Sequence, residues 1–231
     1  MALTASPPRV IRALDAEELA TRAAYRLLRA LSQLQARGKV PKLCLSSGEL
    51  ALRVYTALAR LLRSSSVDST QIEFWWADDY YVPTGDPHRA AGPLIAAFGV
   101  TVDPSKVHPI PAAEGRTDSA VAAATYARDL GDTVFDICIL EVNAPGGFNS
   151  PNGNSPGVVA IAGDAEHPDR IVLNQRRLSN STSVWFLAAG PEIAESVAVG
   201  MESAPIAGIE ETVWLLDRPA AAELPYFDCP L

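Results

Sequence analysis

The amino-acid sequence predicts an α/β fold with a mostly parallel sheet. Segments typical of strands alternate with segments that have helical periodicity, and most connections between them are short. Residues 135–140 are almost entirely apolar, which is typical of a strand covered on both faces. One long stretch, residues 143–157, interrupts the alternation and is rich in Asn, Pro, Gly and Ser. Such a loop after a buried strand lies where open α/β sheets place ligands.

The first half of the chain provides two helices and two strands of this pattern. Leucines and alanines recur every three or four residues over 16–37, which predicts a helix. Asp15 is suited to cap its start, Glu18 to bond back in a capping box, and Gly38 to end it. The further predicted elements are a strand at 42–46, a helix carrying Leu50, Val54, Leu58 and Leu61, and a strand at 72–76.

The second half continues the alternation. The predicted elements are a helix from Thr117 or Asp118 to about Leu130, the strand at 135–140, further strands at 170–173, 184–187 and 213–216, and a helix at 191–200. No internal repeat or charge block divides the chain. We therefore predict that residues 1–231 form one domain, as their number allows.

Composition excludes several classes of partner. The net charge of -8 opposes general affinity for nucleic acid or an anionic membrane, because the mean field repels phosphates. The cysteines, Cys44, Cys138 and Cys229, have neither zinc-type spacing nor the pattern of a disulfide framework. There is no charged leader before an apolar core, and no apolar run long enough to cross a membrane. We expect a cytoplasmic protein without a bound metal.

Three motifs, read in order, resemble one known family. Residues 45–48, Leu-Ser-Ser-Gly, stand where 6-phosphogluconolactonases have a Leu-Ser/Thr-Gly-Gly turn before a helix. Residues 74–83 resemble their Phe-Trp-Gly-Asp-Glu-Arg-x-Val-Pro stretch. Residues 140–150, followed by Ser155-Pro156, occupy the place of their Leu-Gly-Met-Gly-x-x-Gly-His-x-x-Ser loop. The strands at 170–173, 184–187 and 213–216 extend the resemblance over nearly the whole chain.

The resemblance is to the 6-phosphogluconolactonase family of the glucosamine-6-phosphate isomerase/6-phosphogluconolactonase superfamily. It implies a Rossmann-like three-layer sandwich that needs no cofactor and no metal. It also implies hydrolysis of 6-phosphogluconolactone in the oxidative pentose phosphate route, with a phosphorylated sugar or sugar lactone as the ligand. Another enzyme of that route is a further partner that the resemblance leaves open.

The chain departs from the family where the chemistry is done. Lactone hydrolysis needs a base for water, donors for the oxyanion and a cation for the phosphate. The family's loop histidine aligns with Gly147, and the Arg of its Asp-Glu-Arg aligns with Tyr80. Ser47 replaces the first Gly of the turn, and Glu49 places a carboxylate at the start of a helix, where it would compete with a phosphate. We predict weak or absent lactonase activity.

Because the family's catalytic positions are replaced in this chain, we predict no catalytic residue. The residues predicted to contact a substrate are carried over from the family motifs. They are Ser46, Ser47, Gly48, Asp78, Asp79, Tyr80, Arg89, Gly146, Asn149, Ser150 and Arg170.

For several polar residues the sequence allows either a functional or a structural role. Asp78 and Asp79 end a strand and suit either acid–base work or a turn. Glu141 ends the next strand and suits either a replacement base or a cap on a neighbouring helix. Two alternatives to a weak lactonase follow: a non-catalytic module that binds a sugar phosphate or a partner, and an enzyme with a relocated site built from Asp78, Asp79, Glu141 and His88.

Overall fold

The computed structural model describes residues 8–99, 102–115, 117–143, 151, 157–203 and 209–224. Its strands are β1 (Arg9–Ala13), β2 (Lys42–Leu45), β3 (Glu73–Trp76), β4 (Asp78–Tyr80), β5 (Val107–His108), β6 (Phe135–Glu141), β7 (Val158–Ile161), β8 (Arg170–Leu173), β9 (Ser181–Ala188) and β10 (Glu211–Asp217). Its helices are α1 (Ala16–Ala36), α2 (Glu49–Leu62), α3 (Ala91–Phe98), α4 (Ser119–Leu130), α5 (Gln175–Leu178) and α6 (Ala194–Ser203).

A seven-stranded sheet organises the fold, in the order β1-β10-β9-β6-β2-β3-β5. Every pairing in it is parallel. Helices flank this sheet, so the predicted α/β class with a mostly parallel sheet is confirmed. The central strand β6 is buried over most of its length, as its apolar run predicts.

A second sheet, of three antiparallel strands in the order β4-β8-β7, lies beside the first. Asp78 pairs with Val172, and Tyr80 with Arg170. The strand predicted at 170–173 therefore belongs to this small sheet. The pairing places Arg170 opposite Tyr80 on β4, from where its side chain reaches Asp78 in the site described below.

The start of α1 follows the predicted capping pattern with one shift. The Asp15 carboxylate accepts the Glu18 N–H at 2.9 Å, as an N-cap residue does. Glu18 reaches back to the N–H of Leu14 at 2.6 Å, one residue before the N-cap. None of the described helices combines the length and the apolar character that a membrane span requires.

Candidate functional site

A pocket opens at the carboxyl ends of β2, β3 and β6. Parallel strands end together at one edge of a sheet, so the polar residues that follow them converge there. The residues that line the pocket are Ser46, Ser47, Ala77, Asp78, Leu140, Glu141, Asn143, Arg170, Leu173 and Leu178. Four residues predicted as substrate contacts, Ser46, Ser47, Asp78 and Arg170, are among them.

The Asp78 carboxylate is held by three donors. It accepts the backbone N–H of Ser47 at 3.0 Å and the Ser47 hydroxyl, and it forms an ion pair with Arg170. The Arg170 guanidinium also lies over the ring of Tyr80, 4.9 Å from its centre. The guanidinium that lines the pocket is therefore already paired with an acid of the same pocket.

Glu141 places a second carboxylate in the pocket, at the N-terminus of α2. Its Oε2 accepts the N–H of Ala51 at 2.7 Å, and the carboxylate also accepts the N–H of Leu50. Gly48 is the N-cap residue of α2 and has no side chain to fill this role. Glu141 thus supplies from β6 the acceptor that an Asn or Ser cap would supply locally. Burial raises the pKa of Glu141, and the nearby Asp78 and Glu49 raise it further.

This arrangement corrects the expectation for Glu49. The Glu49 side chain is 80% exposed and pairs with Arg53 one helical turn away. Its carboxylate is therefore directed to solvent and to Arg53. The carboxylate that occupies the helix end belongs to Glu141.

Gly48 lies against the Glu141 carboxylate, in a backbone conformation that favours glycine. Its φ of +138° is one that L-residues rarely adopt, and a Cβ there would lie 2.3 Å from Glu141 Oε2. Gly48→Ala is expected to lower the free energy of unfolding by about 1–3 kcal/mol, from strain and from displacement of Glu141. Urea denaturation measures this difference.

A matched control is Gly92→Ala, within α3, where a Cβ would meet nothing within 4 Å. That change is expected to stabilise the protein by about 0.5–1 kcal/mol. Equal effects of the two substitutions would contradict the close approach. Combining Gly48→Ala with Glu141→Gly should recover the steric part of the loss.

Asp79 and Arg89, both predicted as substrate contacts, are buried and contact each other and nearby backbone groups. Asp79 is fully buried and accepts the N–H groups of Tyr80, Ala90 and Ala91 at 2.9, 2.8 and 3.2 Å. Arg89 is 5% exposed, lies 3.6 Å from Asp79 and donates to backbone carbonyls of Tyr80 and Ile110. Neither residue lines the pocket. Burial raises the pKa of Asp79, while its three N–H donors and Arg89 act to lower it.

All three histidines lie in described segments, and none is among the residues that line the pocket. His88 Nδ1 is 2.9 Å from Asp86, and His167 Nδ1 is 3.2 Å from Asp164. The His108 ring stacks on Trp75 with their centres 4.1 Å apart. Each imidazole therefore has a local partner away from the pocket.

The remaining predicted contacts have two outcomes. Gly48 lies against Glu141, and Tyr80 packs between Arg170 and His88, whose ring centre is 5.9 Å away. Gly146, Asn149 and Ser150 lie outside the described residues, as does Gly147. Their roles stay predictions.

Asn143 and the apolar residues of the lining are not among the contacts predicted from the sequence. Asn143 is the first residue of the long loop after β6, and its side-chain amide adds a donor and an acceptor. Its place directly after a strand is the sequence feature that indicates a pocket residue, because residues that follow parallel strands lie at the same edge of the sheet. Two of the apolar lining residues, Leu173 and Leu178, come from β8 and α5. Their place in the pocket follows from the pairing of β8 with β4, which the sequence pattern does not predict.

The comparisons with known proteins agree with this architecture. A 6-phosphogluconolactonase from Streptomyces coelicolor is 30% identical over 248 residues, covering 94% of this chain and 95% of the relative. One from Mycobacterium leprae is 28% identical, covering 91% and 96%. The solved 6-phosphogluconolactonase of Thermotoga maritima superposes with a TM-score of 0.79 at 19% identity, covering 91% of this chain and all of that one.

The fold and the strand-end pocket define an α/β protein of the sugar-phosphate isomerase and lactonase type. The solved 6-phosphogluconolactonase of Trypanosoma brucei shares this fold, with a TM-score of 0.79 at 16% identity over 94% of this chain and 99% of that one. Residues 14–215 match the family described as glucosamine-6-phosphate isomerases/6-phosphogluconolactonase. The chain belongs to this family, and the resemblance seen in the sequence is confirmed.

Proposed function

We propose that this chain is a 6-phosphogluconolactonase-like protein of the oxidative pentose phosphate route whose hydrolysis of 6-phosphogluconolactone is weak or absent. The observation that carries the proposal is the missing base. Gly147 stands where the family has its loop histidine, and glycine has no side chain to take a proton. The three histidines of the chain all have partners away from the pocket.

The pocket carboxylates are poor replacements for that base. Asp78 is held by Arg170 and by the hydroxyl and N–H of Ser47, so its carboxylate oxygens already have protein partners. Glu141 is engaged with the N–H groups of α2. To accept a proton from water, either carboxylate would have to give up or share donors that it already engages.

The relocated site considered from the sequence also loses support. It requires Asp79 and His88 to face the same cleft as Asp78 and Glu141. Asp79 instead caps the start of α3 inside the core, and His88 is partnered by Asp86. A non-catalytic role, in binding a sugar phosphate or attaching to another enzyme of the route, is the second candidate, because it requires a pocket at the strand ends and no base.

The test is turnover of freshly generated 6-phosphogluconolactone, coupled to 6-phosphogluconate dehydrogenase and corrected for spontaneous hydrolysis. We expect a rate indistinguishable from the spontaneous one. The Streptomyces coelicolor relative, assayed in parallel, controls for substrate quality. Turnover in the common enzyme range of roughly 1–10³ per second would overturn the proposal and show that another group supplies the base.

A further inference from the structure

The charges that line the pocket are unbalanced. Among the described residues that line it, two carboxylates, Asp78 and Glu141, face one guanidinium, Arg170. Arg170 is paired with Asp78, which leaves the Glu141 carboxylate with backbone N–H groups as its described hydrogen-bond partners. Partial burial of these groups weakens solvent screening, so the excess negative charge acts at close range.

Several donors that an incoming anion would use are engaged, although the Arg170 Nε is buried without a hydrogen-bond partner among the described residues. Ser47 directs both its N–H and its hydroxyl to Asp78, and Arg170 directs its terminal nitrogen to the same carboxylate. The N–H of Ala51, at the third position of α2, goes to Glu141. These are the types of group that bind phosphate oxygens in proteins.

Glu141 reaches this position from another element, which makes the contact a tertiary one. Glu141 is the last residue of β6 and is 90 residues along the chain from Ala51. Gly48 permits the approach, because a Cβ at that position would overlap both carboxylate oxygens. The geometry is therefore that of a protein carboxylate seated where a bound anion would interact with the helix end and with the pocket beside it.

We infer that Glu141 is a specificity-determining residue, a tethered anion that competes with phosphate-bearing ligands for this pocket. Such a ligand has to displace Glu141 from α2 and then bear its repulsion along with that of Asp78. The inference rests on the proposed function, because it concerns the same pocket. It explains weak use of phosphorylated substrate through binding, independently of the missing base.

The test is binding, measured without turnover. The probe is 6-phosphogluconate, a stable phosphorylated sugar acid, titrated calorimetrically into the unaltered protein and into Glu141→Gly. We expect the variant to bind at least about tenfold more tightly, the smallest effect that loss of a close like charge should give. Glu141→Gln, which keeps the size and one acceptor oxygen, should give a smaller gain.

Glu49→Gln is the matched control, since it removes a carboxylate from the same helix end that points to solvent and pairs with Arg53. It should leave the affinity within about twofold, as expected for an exposed charge. Equal affinity of the unaltered protein and both Glu141 variants, with folding verified by thermal unfolding, would overturn the inference. So would an equal gain from Glu49→Gln, which would indicate a general charge effect.

The two proposals fail separately. Rapid turnover by the unaltered protein would overturn the proposed function. The binding comparison between the unaltered protein and the Glu141 variants would still test the role of Glu141. A null result in the binding comparison, with turnover still absent, would overturn the role of Glu141 and leave the missing base as the explanation.

Discussion

The triple variant Gly147→His, Tyr80→Arg, Glu141→Gly is expected to hydrolyse 6-phosphogluconolactone clearly faster than the spontaneous reaction, because a general base contributes on the order of 10²–10⁴-fold. The histidine returns a base to the position where the family has one. The arginine returns a cation able to make charge-assisted contacts to phosphate, which the Tyr80 hydroxyl lacks. Removing Glu141 frees the N–H groups of Leu50 and Ala51. The coupled assay, corrected for spontaneous hydrolysis, measures the gain.

The matched control replaces Gly147 by Gln in the same background. Glutamine is polar and of similar reach but takes no proton near neutral pH, so it keeps any gain in binding and omits the base. We expect the histidine variant to exceed this control mainly in kcat. A folded triple variant no faster than its glutamine counterpart would refute the assignment of position 147 as the site of the base.

Asp79→Ala is expected to lower the free energy of unfolding by about 3–5 kcal/mol, the range for breaking a buried ion pair from one side. The change leaves the Arg89 guanidinium, itself 5% exposed, without its counter-charge. It also leaves the N–H groups of Ala90 and Ala91 without their acceptor at the start of α3. Urea denaturation, with the slope checked for two-state behaviour, measures the loss.

Asp118→Ala is the matched control for Asp79→Ala. Asp118 is also an acid that caps a helix, accepting the Val121 N–H at 2.8 Å, but it is exposed. Its loss should cost about 1 kcal/mol, the usual value for an N-cap. The double variant Asp79→Ala, Arg89→Met should cost less than Asp79→Ala alone, because no unpaired charge remains. Equal costs for Asp79→Ala and Asp118→Ala would show that the buried pair adds nothing.

Long periodic segments made most of the large sheet predictable. The helix predicted over 16–37 is α1, which ends at Ala36, and the apolar run at 135–140 is β6. The second sheet was not foreseen, since β4 and β7 are three and four residues long and carry no clear alternation. The edge strand β5 has two residues, too few for any pattern. The pairing of such short strands is set by tertiary contacts.

The location of the site could be predicted from the sequence, but the hydrogen bonds and ion pairs within it could not. Strand-end position was sufficient to group Ser46, Ser47 and Asp78 at one edge of the sheet. Successive side chains along a strand point to opposite faces, so Asp78 and Asp79 are expected to point in opposite directions. The sequence pattern does not show which of the two enters the pocket. For Glu141 both a base and a helix cap were open, and the 2.7 Å distance to the Ala51 N–H decides for the cap.

The edge formed by β1 and β10 has a consequence for the order of folding. Arg9 pairs with Val213 and Ala13 with Asp217, so two neighbouring strands are separated by about 200 residues of chain. Closing so large a loop costs more entropy than any pairing among β2, β3 and β6, and it is compensated only after β9 has provided a place for β10. We expect this edge to dock last during refolding and to open first under mild denaturation. Amide exchange in β1 should then be faster than in β6, even though both belong to one continuous sheet.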